Sequence, residues 1–182
     1  NIQDITAQVA ANKIGEIQLR KLIDYYGFDT VLEQMYAIQK NAKEACLSIL
    51  KNIKSSNFDM TLDNFNLKLK IKVCSESEKI NFDFTGSSKE SLGNFNAPLP
   101  ITKAVIIYVL RCLINEDIPL NSGILEPVEI STDSNSIINP SKKAAVSAGN
   151  VEVSQALANC IFGALSIKAS CQSTMNNVIL GN

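Results

Sequence analysis

The sequence predicts an α+β fold in which a helical hairpin precedes a mixed body of strands and buried helices. Apolar residues recur at helical spacing through the first fifty residues, whereas a strict alternation with period two begins near residue 67. No internal repeat or low-complexity linker interrupts this order. We therefore predict one structural unit, with the hairpin at residues 1–54 and the α+β body at residues 55–182.

The hairpin is predicted from two amphipathic helices that meet at Gly27. Apolar side chains recur at helical spacing from Ile14 to Tyr26, and Gly27 suits the left-handed position that ends a helix. Thr30 and Glu33 have the spacing of a capping box, which predicts the start of the second helix. An apolar seam along that helix is expected to pack against the first helix or to bind a partner: Val31, Met35, Ile38, Ala42, Ala45 and Ile49.

Two strands are predicted from alternating side chains. Apolar residues alternate with lysines from Leu67 to Val73, and a second alternation follows from Ile80 to Phe84. A register that pairs Ile71 with Phe82 keeps both apolar sets on one face and places Lys70 opposite Asp83. We interpret the lysines as the solvated face of the strand, with a phosphate-binding row as the alternative.

The rest of the body is predicted to contain two helices and a short strand. Apolar side chains cover nearly the whole circumference of Ile101–Ile114, which indicates a helix buried on most sides. Pro127–Ile130 resembles a short strand, and Val151–Ile167 is a further apolar helix for which Asn150 is the expected N-cap.

Composition excludes several classes of function. The 182 residues contain no histidine, so no His-containing catalytic triad or metal site is available, and Cys171 has no imidazole to activate it. The net charge of -1 gives no support for a nucleic-acid partner, and no apolar run is long enough to span a membrane.

The five cysteines lack C-x-x-C spacing and lie mostly in apolar stretches, which indicates reduced core thiols in a soluble cytoplasmic protein. The first residues carry no initiator Met or signal sequence, so we expect an interior-to-C-terminal piece of a longer polypeptide.

A series of short motifs occurs along the whole chain. They are Ala7–Asn12, Asp83–Gly86, Asn96–Pro98, Leu110–Leu113, Ala148–Glu152, Ser154–Gln155 and Thr174–Asn177. Their residues, order and spacing closely resemble those of the hydantoinase B/oxoprolinase family, and the resemblance covers essentially all 182 residues.

The resemblance implies a B-type subunit, or the corresponding part of a longer chain, of ATP-dependent enzymes that open a lactam or cyclic imide such as 5-oxoproline or N-methylhydantoin. Related members are ATP-dependent ketone carboxylases. In the family, an A-type subunit with an actin-like fold handles ATP, so a homo- or hetero-oligomer is expected. The full complex is expected to need ATP and a divalent cation, whereas this chain is expected to bind no metal or other cofactor and to be inactive in isolation.

Candidate site residues lie in the last motifs. Amide side chains offer a donor and an acceptor without titrating, so Asn150, Gln155, Asn176 and Asn177 are candidate substrate-binding residues for a polar ring. Glu152 is the candidate catalytic carboxylate, for a proton, a cation or an amine. The competing interpretation gives these residues only helix-capping, dipole and turn roles.

Two functions therefore remain open from the sequence. The chain contributes substrate-contacting residues to an ATP-dependent amidohydrolase, or it is a non-catalytic scaffold that assembles with the A-type subunit through its helical hairpin. Convergence of Glu152, Gln155, Asn176 and Asn177 on one polar concavity would favour the first function.

Overall fold

The computed structural model describes residues 2–62, 65–74, 76–172 and 174 of the chain. These residues form an α+β fold, as the sequence predicts. The helices are α1 (Ile2–Tyr26), α2 (Phe28–Leu50), α3 (Leu99–Leu113) and α4 (Ser154–Leu165), and the strands are β1 (Ser56–Leu62), β2 (Phe65–Cys74), β3 (Lys79–Asp83) and β4 (Val128–Ser131). A 3₁₀ turn spans Ser122–Leu125 and a π-helical turn spans Gly149–Val153. Within the described ranges, no helix combines the length and apolar character needed to cross a bilayer.

Gly27 alone joins the first two helices. It has a φ of 86°, and its N–H donates a 2.8 Å hydrogen bond to the carbonyl of Ile23, which ends α1 as predicted. The predicted start of the first helix at Ile14 is wrong, because α1 already begins at Ile2. The predicted capping box is also wrong: Thr30 and Glu33 lie inside α2, since Gly27 lets the second helix begin immediately at Phe28.

The helical arm, which we define as α1 and α2 up to residue 41, is almost entirely exposed. No residue of α1 is buried, and α2 contributes buried residues only from Ala42 onward. Ile14 is 59% exposed and Met35 is 49% exposed, so the predicted packing of the two helices against each other does not cover the apolar seam. Because the end of α2 belongs to the core of the body, a domain boundary at residue 54 stays a prediction.

The sheet has the strand order β1-β2-β3-β4, with antiparallel pairs except for the parallel pair β3–β4. The predicted register is confirmed, because Ile71 pairs with Phe82 and Lys70 with Asp83. The predicted strand near Pro127–Ile130 is confirmed as β4. The sequence analysis missed β1, because exposed polar residues alternate there with only half-buried apolar ones, as expected of an edge strand.

Helix α4 lies directly on β1 and β2, and α3 packs against α4. The close approach of helix and sheet depends on Gly163, where a Cβ would come within 2.5 Å of the Phe58 ring. The largest fully buried side chains come from the strands, the helices and two loops: Phe82, Phe84, Leu67, Leu69, Ile71, Ile80, Ile106, Leu110, Ile124, Ile137, Ile138 and Leu157. Burial of these side chains supplies the main driving force for folding the body.

Helix α3 is not buried around most of its circumference, contrary to the prediction. Its buried residues form one side of the helix, from Thr102 to Leu110, whereas Tyr108 is 57% exposed. A helix whose apolar residues cover its whole circumference can therefore leave one apolar side uncovered. In α3, the uncovered side faces α4.

The chain enters α4 through the π-helical turn, so the predicted N-cap at Asn150 is wrong. Ala148 occupies the position before the turn and provides no side-chain cap. Its carbonyl accepts the N–H groups of Val151 at 3.3 Å and Glu152 at 2.9 Å. Gly149 is pressed against the backbone of a neighbouring loop, and this wide turn takes the place of a side-chain cap.

That neighbouring loop is held by the fully buried side chain of Asn96. Its Oδ1 accepts the N–H of Ser91 at 2.7 Å, and its Nδ2 donates to the carbonyls of Ser91 at 2.9 Å, Gly93 at 3.1 Å and Ala145 at 2.9 Å. The next residue, Ala97, donates its N–H to the carbonyl of Ile137 at 2.7 Å. These bonds tie the residues before α3 to the residues before α4.

The contact of Gly149 with this loop predicts a specific glycine requirement. A Cβ at position 149 would lie 2.0 Å from the carbonyl oxygen of Asn96. This oxygen is a backbone atom, so it cannot move aside by a change of side-chain rotamer. We expect Gly149→Ala to destabilise the fold by about 3 kcal/mol or more, seen as a lower apparent Tm and a lower yield of folded protein.

Gly15→Ala is the matched control, because nothing lies within 4 Å of a Cβ at position 15 of α1. This exchange should raise helix stability by about 0.5–1 kcal/mol. An unchanged Tm for Gly149→Ala would contradict the close approach of the two loops.

Candidate functional site

A cleft of about 700 Å³ lies between helices α3 and α4. Its lining residues are Pro100, Ile101, Ala104, Val105, Tyr108 and Cys112 from α3, Asn150, Ser154, Gln155, Ala158, Asn159 and Phe162 from the π-helical turn and α4, and Lys168, Ala169 and Cys171 after α4. A volume of this size suits a small organic ligand.

The cleft follows from the spacing of residues on the two helices. Ala104, Tyr108 and Cys112 succeed one another at four-residue intervals, so they form a single stripe along α3. Gln155 and Asn159 are likewise four residues apart on α4. The rings of Tyr108 and Phe162 meet edge to face with centroids 6.3 Å apart, which links the two stripes by an aromatic contact.

Two of the predicted substrate-binding residues, Asn150 and Gln155, line this cleft together. The Nε2 of Gln155 donates a 3.0 Å hydrogen bond to the carbonyl of Val151. That bond fixes the side chain, and its Oε1 accepts no hydrogen bond from the residues the structure describes. Asn150 is exposed, and its side chain is likewise without a hydrogen bond in that part of the chain. Both amides therefore retain hydrogen-bonding capacity for a ligand.

Asn159 is a site residue that the sequence analysis missed. Its side chain is only 3% exposed, donates from Nδ2 to the carbonyl of Cys171 at 2.7 Å and accepts the N–H of Cys171 at 3.2 Å on Oδ1. This pair of bonds fixes the segment after α4 against the cleft. A polar residue one turn beyond Gln155 in an otherwise apolar helix was a usable signal, because a buried amide requires partners.

Glu152 does not line the cleft, although it belongs to the same turn as Asn150. It is half-buried, its Oε1 accepts a 2.9 Å hydrogen bond from the Oγ1 of Thr174, and it is not a lining residue of the cleft. The structure thus brings the π-helical turn and Thr174 into contact. Asn176 and Asn177, the other predicted substrate-binding residues, lie outside the described residues.

Backbone N–H groups on either side of Asn150 are already hydrogen-bonded within the chain. Gly149 donates its N–H to the carbonyl of Val146 at 3.1 Å, and Val151 and Glu152 donate theirs to the carbonyl of Ala148. Because these groups are already used, anion binding by a helix N-terminus has no support here.

The cysteines are less buried than predicted. Cys46 and Cys160 are core thiols, and burial raises the pKa of each to about 12. Cys74, Cys112 and Cys171 are exposed, contrary to the expectation of mainly core thiols. At Cys112 the apolar flanking residues misled this expectation, because the buried residues of α3 lie on another side of that helix. The neighbouring Cys112 thiol raises the pKa of the Tyr108 hydroxyl above its usual value.

Among the described residues, no group of three or more Cys, Asp or Glu side chains is placed to hold a metal ion. The donor set in the cleft is dominated by neutral amides and thiols, which do not suit a magnesium ion.

Comparison with known proteins gives matches over the whole chain. The family model described as hydantoinase B/oxoprolinase matches residues 1–182. The chain is 39% identical over 199 residues to 5-oxoprolinase 1 of Arabidopsis thaliana, in an alignment that covers 100% of this chain and 16% of the relative. It therefore spans less than a fifth of that protein.

Two solved structures share the fold at low sequence identity. The ATP-dependent caprolactamase from Pseudomonas jessenii matches with a TM-score of 0.74 and 17% identity, over 90% of this chain and 29% of that chain. An acetone carboxylase in its nucleotide-free structure matches with a TM-score of 0.67 and 12% identity, over 81% of this chain and 22% of that chain.

Proposed function

The chain belongs to the hydantoinase B/oxoprolinase family, and from that membership we propose that it is part of the B-type subunit of an ATP-dependent amidohydrolase. The substrate class is a lactam or cyclic imide of the 5-oxoproline or N-methylhydantoin type. The Arabidopsis relative, whose name specifies 5-oxoproline, supports this assignment. In this function the chain supplies a substrate-contacting cleft and depends on other parts of the complex for activity.

The convergence of Asn150 and Gln155 on one cleft is the observation that carries the proposal. A cyclic amide presents one carbonyl acceptor and one N–H donor on the edge of a small apolar ring. Amide side chains match both groups without titrating, and apolar residues of α3 such as Ile101 and Val105 offer a surface for the ring methylenes.

The same cleft suits the chemistry of amide opening. Negative charge develops on the amide oxygen when its carbon is attacked, and a donor that is already oriented stabilises this charge most effectively. The bond from Gln155 to Val151 and the bonds from Asn159 to Cys171 hold this side of the cleft in place. In our proposal the Asn150 amide, which has no competing bond in the described residues, donates to the substrate.

Glu152 is proposed as the carboxylate at the edge of the site. Its bond to Thr174 connects the π-helical turn to the motif that continues with Asn176 and Asn177. We propose that Glu152 acts on a proton, a cation or an amine, and that the two asparagines complete the substrate-binding set.

ATP and the divalent cation are assigned to other parts of the complex. The described residues do not offer a carboxylate cluster for the cation, and the sequence contains no phosphate-binding loop. We therefore propose an A-type subunit, or A-type region, that binds the nucleotide and joins this chain in a homo- or hetero-oligomer.

The exposed helical arm favours a second role in assembly. Its apolar residues are large and numerous, and none of those in α1 is buried by the described residues. Such a surface is typical of a protein contact. Support of the complex through this arm is compatible with substrate binding in the cleft, and it would be the main function if the cleft proved inactive. The alternative is that the complex is a related ATP-dependent ketone carboxylase.

The cleft assignment predicts a loss of turnover without a loss of assembly. In the full-length protein co-expressed with its A-type partner, Asn150→Leu and Gln155→Leu should each lower substrate-dependent ATP hydrolysis by about tenfold or more, because a positioned polar group is removed. The assay covers 5-oxoproline, a hydantoin, caprolactam and acetone. Asn115→Leu, at an exposed position after α3, is the matched control. If both variants turned over every substrate of the original protein at its normal rate, the cleft would be rejected as the substrate-binding site.

Glu152→Gln separates charge from positioning. The glutamine retains an oxygen that can accept the Thr174 hydrogen bond, so the fold should be barely less stable. Turnover should fall in the assembled enzyme because the titrating group is lost. Thermal unfolding and ATP hydrolysis are measured on the same preparation, and equal turnover at equal stability would leave Glu152 with a structural role only.

The assembly role predicts that charges on α1 dissociate the complex. Ile14→Lys with Ile17→Lys should reduce the mass of the complex in size-exclusion light scattering, whereas Tm should hardly change because neither side chain is buried. Asn12→Lys, an exposed polar position of the same helix, is the control. An intact complex in the double variant would contradict an interface on the helical arm.

A further inference from the structure

Lys168 gives the cleft between α3 and α4 a charge. It follows the left-handed turn at Ser166, where φ is 53° and α4 ends. Every other lining residue of the described cleft is apolar, hydroxyl, thiol or amide. A positive group at the mouth of an otherwise neutral site selects ligands by their charge.

The ammonium group of Lys168 has no acidic partner in the described part of the chain. The ion pairs there are Arg20–Glu16, Lys40–Glu44 and Lys43–Glu126, and none of their residues lines the cleft. The nearby residues Ala169 and Cys171 offer no carboxylate. The charge is therefore available to an anionic group of a ligand in the cleft.

We propose that Lys168 is a specificity-determining residue that binds the carboxylate of a cyclic amide while Asn150 and Gln155 face the amide edge. This inference rests on the proposed function and narrows its substrate class to ring amides that carry a carboxylate. A neutral lactam fills the same apolar space but leaves the lysine without a partner. Lys168 would thus discriminate between substrates of equal ring size.

The test uses two ligands that differ only in the carboxylate, 5-oxoproline and 2-pyrrolidinone. In the assembled full-length enzyme, Lys168→Gln should raise KM and Kd for 5-oxoproline by about five- to tenfold, as expected for a charge-assisted contact near the surface. The kcat should change little, and binding of 2-pyrrolidinone should be unaffected. Lys168→Arg should retain most of the preference, and the difference between Lys168→Gln and the original protein should shrink as salt is added.

Lys103→Gln is the control, because it removes the same charge from an exposed position of α3 that does not line the cleft. An unchanged preference for 5-oxoproline in Lys168→Gln, or an equal weakening of both ligands, would overturn the inference while leaving amide hydrolysis intact. If the original enzyme hydrolyses none of 5-oxoproline, 2-pyrrolidinone, a hydantoin and caprolactam, the proposed function fails, and calorimetry still decides the inference. Binding of 5-oxoproline that Lys168→Gln weakens would support it, and no binding would overturn it.

Discussion

The contact between Gly149 and the backbone of Asn96 and Ala97 sets the geometry on which the candidate site depends. Asn96 is buried and bonds to three carbonyls, so the loop that receives Gly149 cannot easily move. Helix α3 begins just after this loop, and α4 begins just after the π-helical turn. The separation of the two helices, and hence the width of the cleft, is therefore fixed at one end by a backbone-to-backbone approach that only glycine allows.

Recognition and rigidity are divided between different side chains around the cleft. Asn159 is buried and fully engaged, so it maintains the wall, whereas Asn150 is exposed and retains its hydrogen-bonding groups for a ligand. Gln155 contributes to both the wall and ligand binding. Its Nε2 bonds to the carbonyl of Val151, whereas its Oε1 remains available among the described residues. Such an arrangement suits the binding of a neutral amide group, in agreement with the division of labour proposed for the complex.

The sequence predicted features that depend on local pattern and missed those that depend on distant contacts. The β2–β3 register followed from the alternation of apolar residues in the two strands, and the end of α1 followed from the left-handed preference of Gly27. The N-cap at Asn150 failed because Gly149 meets a loop some fifty residues away in sequence. Asn159 and Lys168 were missed because their roles require α3 and the segment after α4 to be in place. Family motifs suggested Asn150, Gln155 and Glu152 alike, but only the fold showed that the first two line the cleft and that Glu152 bonds to Thr174 outside its lining.

A high-resolution structure of the full-length complex with bound 5-oxoproline would locate the ligand without relying on turnover. We expect density for the ring between α3 and α4, with its amide group within about 2.7–3.2 Å of the side-chain amide of Asn150 or Gln155. A ligand bound elsewhere, with this cleft filled by another part of the complex, would rule out the cleft as the substrate site and leave the chain with a role in assembly.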